Sequence, residues 1–443
     1  MQLVRFKGEQ TMTQRRILLG AAALLTAGTL LVGCSAGADA PVASAPSAAP
    51  TGEVTFWSSL GGMADVAAAF NASQDDITVD FEEIPNGANG GYTKLAAAIE
   101  SGTGPDVVGI EYDRLPGFVA NEQLTPVSGL MSGDVLDAYD DQVRQLVTFG
   151  DAAYALPYDA PPLVMWYRQD VLQAAGVEVP TTWDEFEEAA RAVKRQNPDA
   201  YLTSFFTNEP QLAPLSWQAG AEWFGVEDDE WNVDVDGDTS TKVADYWQDL
   251  IDEDLVKAQL GFSDEWTADI NNGVVNGWVG GSWSASGLKT RTEGSGQADK
   301  WIAAVPPTWD GKPSGALSGG TSFAIPENSD NTAAAAAFVT WLTTSPDAVT
   351  ARGAVGTAYL AYPGLNDAAA AVAPTDYYAN DIYAVFDDAS ANLGTWAWGP
   401  SYDITATAMK NAVTTAPTLG DALEDTQSAT VSGLTALGLA VSE

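Results

Sequence analysis

Apolar and polar positions change their period repeatedly along the first part of this chain. Val54-Thr55-Phe56-Trp57 is a short apolar run that ends at Ser58-Ser59 and Gly61-Gly62, which predicts a buried strand opening into a loop. Met63, Val66, Ala67 and Phe70 then fall at helical spacing. Ile77, Val79 and Phe81 alternate with Thr78, Asp80 and Glu82, a second strand, and Tyr92, Leu95 and Ile99 mark one face of another helix. Gly102-Thr103-Gly104-Pro105 turns the chain into Asp106-Val107-Val108-Gly109-Ile110, a third strand. Strand alternating with helix predicts a mostly parallel sheet and an α/β fold. Ligands of such sheets bind beyond the carboxyl ends of the strands, which draws attention to Ser58, Ser59, Tyr112 and Asp113.

Further along, Leu163-Val164-Met165-Trp166-Tyr167 reads as a strand between Pro161-Pro162 and Arg168. Thr182 and Glu185 have the spacing of a capping box, and Trp183, Phe186, Ala190 and Val193 form the stripe of the helix they open, which Asn197-Pro198 stops. Another helix is expected near Ser240, burying Val243, Tyr246 or Trp247, Leu250 and Ile251. The apolar run Val274 to Val279 leads into Gly280-Gly281-Ser282-Trp283-Ser284. The alanine-rich stretch from Thr332 to Leu342 predicts a helix ended by Ser345-Pro346. From about Glu53 to Glu443 the chain is too long for one ordinary core, so two domains are expected.

Composition removes much chemistry. Histidine is absent, so no serine–histidine–acid triad and no histidine-bound zinc can form. The only cysteine is Cys34, ahead of the globular body, which excludes disulfides and thiolate chemistry there. Enzymes remain possible only through carboxylates, lysine, tyrosine or an oxygen-bound metal. The formal net charge of −41 repels nucleic acid. Asp234-Val235-Asp236-Gly237-Asp238 hints at a calcium loop, but its glycine comes too early, and a solvated turn is expected.

The N-terminal segment reads as an export signal. Arg5, Lys7, Arg15 and Arg16 precede an apolar run from Ile17 to Val32, shorter than the about 20 residues a membrane-spanning helix requires. Arg15-Arg16 loosely fits the twin-arginine route, and Met12 is an alternative start. Leu31-Val32-Gly33-Cys34 resembles the bacterial lipobox, which implies cleavage of residues 1–33 and acylation of Cys34. Cleavage removes four of the 19 basic and one of the 60 acidic residues, leaving 15 and 59 and a net charge of −44. Residues 34–52, rich in Ala, Pro and Ser, form no core and read as a tether reaching on the order of 50 Å.

Several segments, in order, resemble the extracellular solute-binding proteins of bacterial ABC importers, of the carbohydrate class that includes the maltose-binding-protein-like members. They are Tyr92-Thr93-Lys94-Leu95 through Ser101-Gly102-Thr103-Gly104-Pro105-Asp106-Val107-Val108, then Tyr154-Ala155-Leu156-Pro157-Tyr158-Asp159 and Trp166-Tyr167-Arg168-Gln169-Asp170. Ala175-Gly176, Pro180-Thr181-Thr182-Trp183-Asp184-Glu185-Phe186, Ser318-Gly319-Gly320 before Phe323-Ala324-Ile325, and Phe338-Val339-Thr340-Trp341-Leu342 complete the series. The family usually has Tyr-Asn-Lys at Tyr167-Arg168-Gln169, so Arg168 departs from its pattern. The resemblance implies a two-lobe periplasmic-binding-protein-like fold (type II) with hinge strands and an interlobe cleft. Crossings are expected near Tyr158 to Pro162, near Pro313 to Gly320, and between Ala370 and Tyr383. The N-terminal lobe would hold 53–159 and 315–374, the other lobe 160–314 and 375–443.

A sugar presents flat C–H faces, which aromatic rings cover, and hydroxyls, which carboxylates and amides bind. By resemblance, Trp283 is the first candidate to stack on a ligand, with Trp217, Trp396 and Trp398 as further rings that are equally readable as core. Alternation would point Trp396 and Trp398 to one side. Asp113 and Asp159 are candidate hydroxyl acceptors or turn residues, Tyr112 directly precedes Asp113, and Gly320 and Thr321 offer backbone amides. Ser58 carries over from the first strand–loop junction. Tyr377-Tyr378 resembles the paired tyrosines of iron-binding relatives, without their other motifs.

The expected function is therefore a lipid-anchored, monomeric binding subunit on the outer face of the cytoplasmic membrane. It would carry a mono- or oligosaccharide to separate permease subunits, without cofactor, metal or catalytic residue. The alternatives are a carrier of another solute such as a polyamine, and a secreted glycosidase working through two carboxylates.

Overall fold

The strand Gly52–Ser58 pairs in parallel with Ile77–Glu83 on one side and Val107–Glu111 on the other, as the alternating pattern requires. The coordinates come from a computed structural model, which describes residues 49–442 except 132, 228–229, 313 and 356–357. Cys34, the signal and most of the tether lie outside the described residues, as does Pro313 at one expected crossing.

The five-stranded sheet is completed by Thr321–Ala324 and Ala155–Pro157. Both join antiparallel, so the sheet is parallel at one end only. Helix Met63–Ser73 packs Met63, Val66, Ala67 and Phe70 against it, and Phe56, Phe70 and Phe338 meet edge to face at about 5 Å between ring centres. Helix Thr332–Thr344 ends where Ser345-Pro346 begins a further helix, Pro346–Arg352, whose Asp347 amide Ser345 caps. That proline closes one helix and opens the next because its ring suits a first turn.

A second, three-stranded sheet is wholly antiparallel: Gly277–Gly281, Leu163–Arg168 and Trp301–Ala304. Every residue of Leu163–Arg168 is buried, which explains its unbroken apolar run. Helix Trp183–Gln196 buries Trp183, Phe186, Ala190 and Val193, and the Thr182 hydroxyl accepts from the Glu185 amide at 3.2 Å. Glu185 returns the contact one residue early, accepting from the Thr181 amide and hydroxyl at 2.8 and 2.7 Å. The helix expected near Ser240 spans Asp238–Asp252, and Trp247 rather than Tyr246 is its buried ring.

The two sheets are stitched by the chain between them. Leu163 donates to Ala316 and Ser318 to Pro161, while Pro162 bridges Leu317. The Ala160 amide bonds Tyr359 and the Ala361 amide bonds Tyr158, whereas Ala379 and Asn380 bond the strand Trp301–Ala304 of the other sheet. Among the described residues no helix is long and apolar enough to cross a membrane.

Candidate functional site

Strand ends from both sheets converge on one cavity of about 490 Å³. From the five-stranded sheet come Glu111, Asp113, Asp159 and Thr321; from the other come Leu163, Val279 and Gly280. The parallel strands turn outward here, so polar residues just past their ends face the opening.

One wall is aromatic. Phe206, Phe262, Trp278 and Trp283 line it together, and Trp398 and Tyr402 stand on another side. Trp283 is fixed by its indole N–H, which donates to the Ser318 carbonyl at 2.8 Å, and by Trp278 at 5.7 Å between ring centres. Gly281 permits this packing, since a Cβ there would sit 2.4 Å from the Trp283 indole nitrogen. Trp398 meets Tyr402 edge to face at 4.5 Å.

Polar groups complete the lining. Thr321 donates its amide to Asp159 at 2.7 Å. Tyr112 donates its hydroxyl to the Asp159 carbonyl at 2.8 Å, which fixes the backbone there. Burial pushes Asp159 up to about 6 against the pull of that Thr321 amide. Burial likewise pushes Asp113 up to about 7, helped by Glu111 and opposed by Arg114. Oδ1 of Asp113 is buried without a hydrogen-bond partner, and Nε of Arg114 lies 3.5 Å away. Gln211 offers the complement. Its Oε1 accepts from the Phe206 amide at 2.7 Å, while its Nε2 is buried and unpartnered. Hydroxyls both donate and accept, so a hydroxyl-bearing ligand suits a lining that carries both the Asp113 carboxyl and the Gln211 amide. Arg352 and Lys410 add positive charge to the lining; Arg352 is held by the Gly61 carbonyl at 3.1 Å and the Tyr158 hydroxyl at 3.0 Å.

The sequence candidates divide. Asp113, Asp159, Trp283, Gly320, Thr321 and Trp398 line the cavity. Ser58, Tyr112, Trp217 and Trp396 do not. The Ser58 hydroxyl is buried and accepts from Leu60, so it shapes the turn that brings Leu60 to the cavity. Tyr112 lies beneath Gly320, where a Cβ would approach its ring to 2.6 Å. Trp217 and Trp396 stack on each other at 5.2 Å with 16° between planes, and Trp217 donates to Gly394 at 3.1 Å. Residues 395–398 form no strand, so alternation does not govern them, and only Trp398 reaches the cavity.

The tyrosine pair is core: Tyr377 bonds Thr292 at 2.6 Å and Tyr378 donates to the Ala285 carbonyl. The Asp234–Asp238 segment borders a shallow hollow of about 540 Å³ without an aromatic ring. Among the described residues no group of three or more His, Cys, Asp or Glu is placed to hold a metal.

The family profile of bacterial extracellular solute-binding proteins matches residues 58–349. The chain belongs to that family. This solute-binding protein is 26% identical over 303 residues to a lactose-binding protein of Rhizobium radiobacter, covering 64% of this chain and 68% of the relative. It is 27% identical over 336 residues to a maltooligosaccharide ABC transporter solute-binding lipoprotein of Streptococcus pneumoniae, covering 73% and 75%. Its fold matches the galacto-N-biose-/lacto-N-biose I-binding protein of Bifidobacterium longum with a TM-score of 0.79 at 25% identity, covering 89% of this chain and all of the other. The two-lobe α/β architecture and the family's role as binding proteins rather than enzymes follow from these matches.

Sequence reasoning missed several lining residues of the solute-binding protein, including Gln211, Phe262, Arg352 and Lys410. Only Phe262 carried a usable signal: an aromatic between Gly261 and Ser263, in a segment with turn composition.

Proposed function

We propose that this solute-binding protein captures a neutral mono- or oligosaccharide in the cleft and hands it to the membrane permease of an ABC importer. The observation that carries this reading is a wall of Phe206, Phe262, Trp278 and Trp283 in the same cavity as the acceptors Glu111, Asp113 and Asp159. Rings cover the apolar sugar face and carboxylates accept from its hydroxyls. A ligand touching both lobes favours the closed form, because only that form makes both sets of contacts. The lobes are taken as 53–159 with 315–374 and 160–314 with 375–443. Cleavage of residues 1–33 leaves Cys34 acylated, and the 34–52 tether holds a monomeric body off the outer face of the cytoplasmic membrane.

Arg114, Arg352 and Lys410 offset the lining carboxylates Glu111, Asp113, Asp159 and Glu209, so charge does not single out a polyamine, and the aromatic wall favours a sugar. The carrier reading also expects no turnover of glycosides. The test is thermal stabilisation against lactose, maltotriose, lacto-N-biose, mannitol and spermidine, followed by calorimetry on the best hit. At least one sugar is expected to raise the melting temperature and to be recovered intact. Stabilisation by spermidine alone would overturn the sugar, and release of product from an aryl glycoside would overturn the carrier.

A further inference from the structure

We propose that Phe262 is a ligand-contacting ring of this cleft, held out toward the guest by a strained backbone so that it covers an apolar face of the saccharide. The inference rests on the sugar reading above.

Phe262 has φ of 59°, in the left-handed region that a bulky L-residue adopts only at a cost. Such strain persists where the surroundings over-determine it. Here they do so from both sides. Asn208 clamps the preceding residue, its Oδ1 accepting from the Gly261 amide at 2.6 Å and its Nδ2 donating to the Gly261 carbonyl at 3.3 Å. Gly261 lies flat on Phe206, where a Cβ would come within 2.5 Å of the ring. On the other side, the Ser263 hydroxyl donates to Leu260 at 2.9 Å and accepts from Trp266 at 3.1 Å.

The ring so raised is 40% exposed, unusual for a large apolar side chain in this protein. Phe206, Trp266 and Trp278 support it at 5.4, 5.6 and 5.8 Å between ring centres, with the Arg291 guanidinium at 5.6 Å. Phe206, Trp278 and Trp283 share the cavity with it. A purely local role is a hydrophobic staple, because Phe262 precedes the cap Ser263 of helix Asp264–Asn271. The staple partner would be Thr267, which is not an apolar residue. Strain beneath a ring that stays 40% exposed in the lining, although Trp266, Phe206 and Trp278 back it, points to a contact that a ligand completes.

The test compares Phe262→Ala, Phe262→Gly and Phe262→Tyr in the full chain. Affinity is measured by calorimetry for the sugar of the panel that binds the unsubstituted protein best, and stability by thermal unfolding. Ala and Gly variants are expected to lose affinity about tenfold or more, as for truncation of an aromatic anchor, and the Tyr variant to retain it. The Gly variant is expected to melt above the Ala variant, because glycine takes positive φ without strain. Should Phe262→Ala not fold, Phe262→Leu keeps apolar bulk without a flat ring and must still lose affinity. Unchanged affinity in the Ala or Leu variant, or an Ala variant that melts with or above the Gly variant, overturns the inference. Sugar binding that ignores Phe262 removes this inference alone; a protein that binds none of the sugars removes the sugar reading with it.

Discussion

Trp283 and Trp217 show how two similar residues take opposite roles. Trp283 lines the cavity with its ring while its N–H is spent on Ser318; Trp217 is buried, stacked on Trp396 and bonded to Gly394. Trp283→Ala is therefore expected to weaken the best sugar by about 1–3 kcal/mol with little change in melting. Trp217→Ala is expected to destabilise the fold by about 3–5 kcal/mol, the cost of emptying a core site. Calorimetry and urea unfolding on both variants check the pair; reversed effects would exchange the assignments. Asp113 and Asp159 give a pH signature. Their folded pKa values, about 7 and about 6, lie above the ordinary carboxylate range. The folded chain thus holds protons that the unfolded chain releases. Their contribution to stability is full below about pH 4 and is lost as pH rises through 6 and 7. Asp113→Asn should flatten that decline, measured by thermal unfolding between about pH 5 and pH 8. A sugar that donates hydroxyls to these groups prefers the carboxylates, so its affinity should rise over the same range.

At the scale of elements, the turn before Thr321–Ala324 is the point where backbone conformation controls the site. Gly320 has φ of 115°, accepts from the Tyr112 amide at 3.1 Å, and leads directly into the Thr321 amide on Asp159. Gly320→Ala adds a Cβ against Tyr112 in a conformation L-residues avoid. A loss of about 1–3 kcal/mol in stability is expected, with sugar affinity falling as the Thr321 amide turns away from Asp159. Urea unfolding of Gly320→Ala beside Gly319→Ala measures it. Elements were the best-read level of the sequence. The period of apolar positions is set by local geometry, so helices Met63–Ser73 and Trp183–Gln196 and strand Leu163–Arg168 fall where the pattern predicts. Strand direction was read less well, because Thr321–Ala324 and the whole second sheet pair antiparallel through residues far apart in the chain.

At the scale of the molecule, the antiparallel segments at Pro161–Leu163 and Ala316–Ser318, with Tyr158–Ala160 against Tyr359–Ala361, link the two sheets on one side of the cavity. Closure as proposed would bend the chain at these links and leave both sheets intact. Small-angle scattering should therefore show a smaller radius of gyration with a saturating sugar, and an unchanged radius would argue against closure. Replacing Cys34 by alanine in the full chain should release the protein from the membrane fraction into the medium if its acyl group is the anchor. The net charge of −41 repels anionic surfaces, so charge supplies no attraction to an anionic membrane face.

The sequence by itself determined the α/β class, the absence of histidine and thiol chemistry from the body, and most helices and strands. Each of these follows from composition or from the local period of the chain. It also brought Asp113, Asp159, Trp283, Gly320, Thr321 and Trp398 into view. Tertiary structure alone decided which rings face the cavity. Trp396 and Trp398 are two residues apart with the same side chain, yet one is sealed by Trp217 and Trp223 and the other is left at the opening. Gln211, Phe262 and Arg352 come from separate segments and acquire a common cavity only when the sheets meet. Burial depends on what folds over a residue, and a neighbouring stretch of sequence holds no record of that.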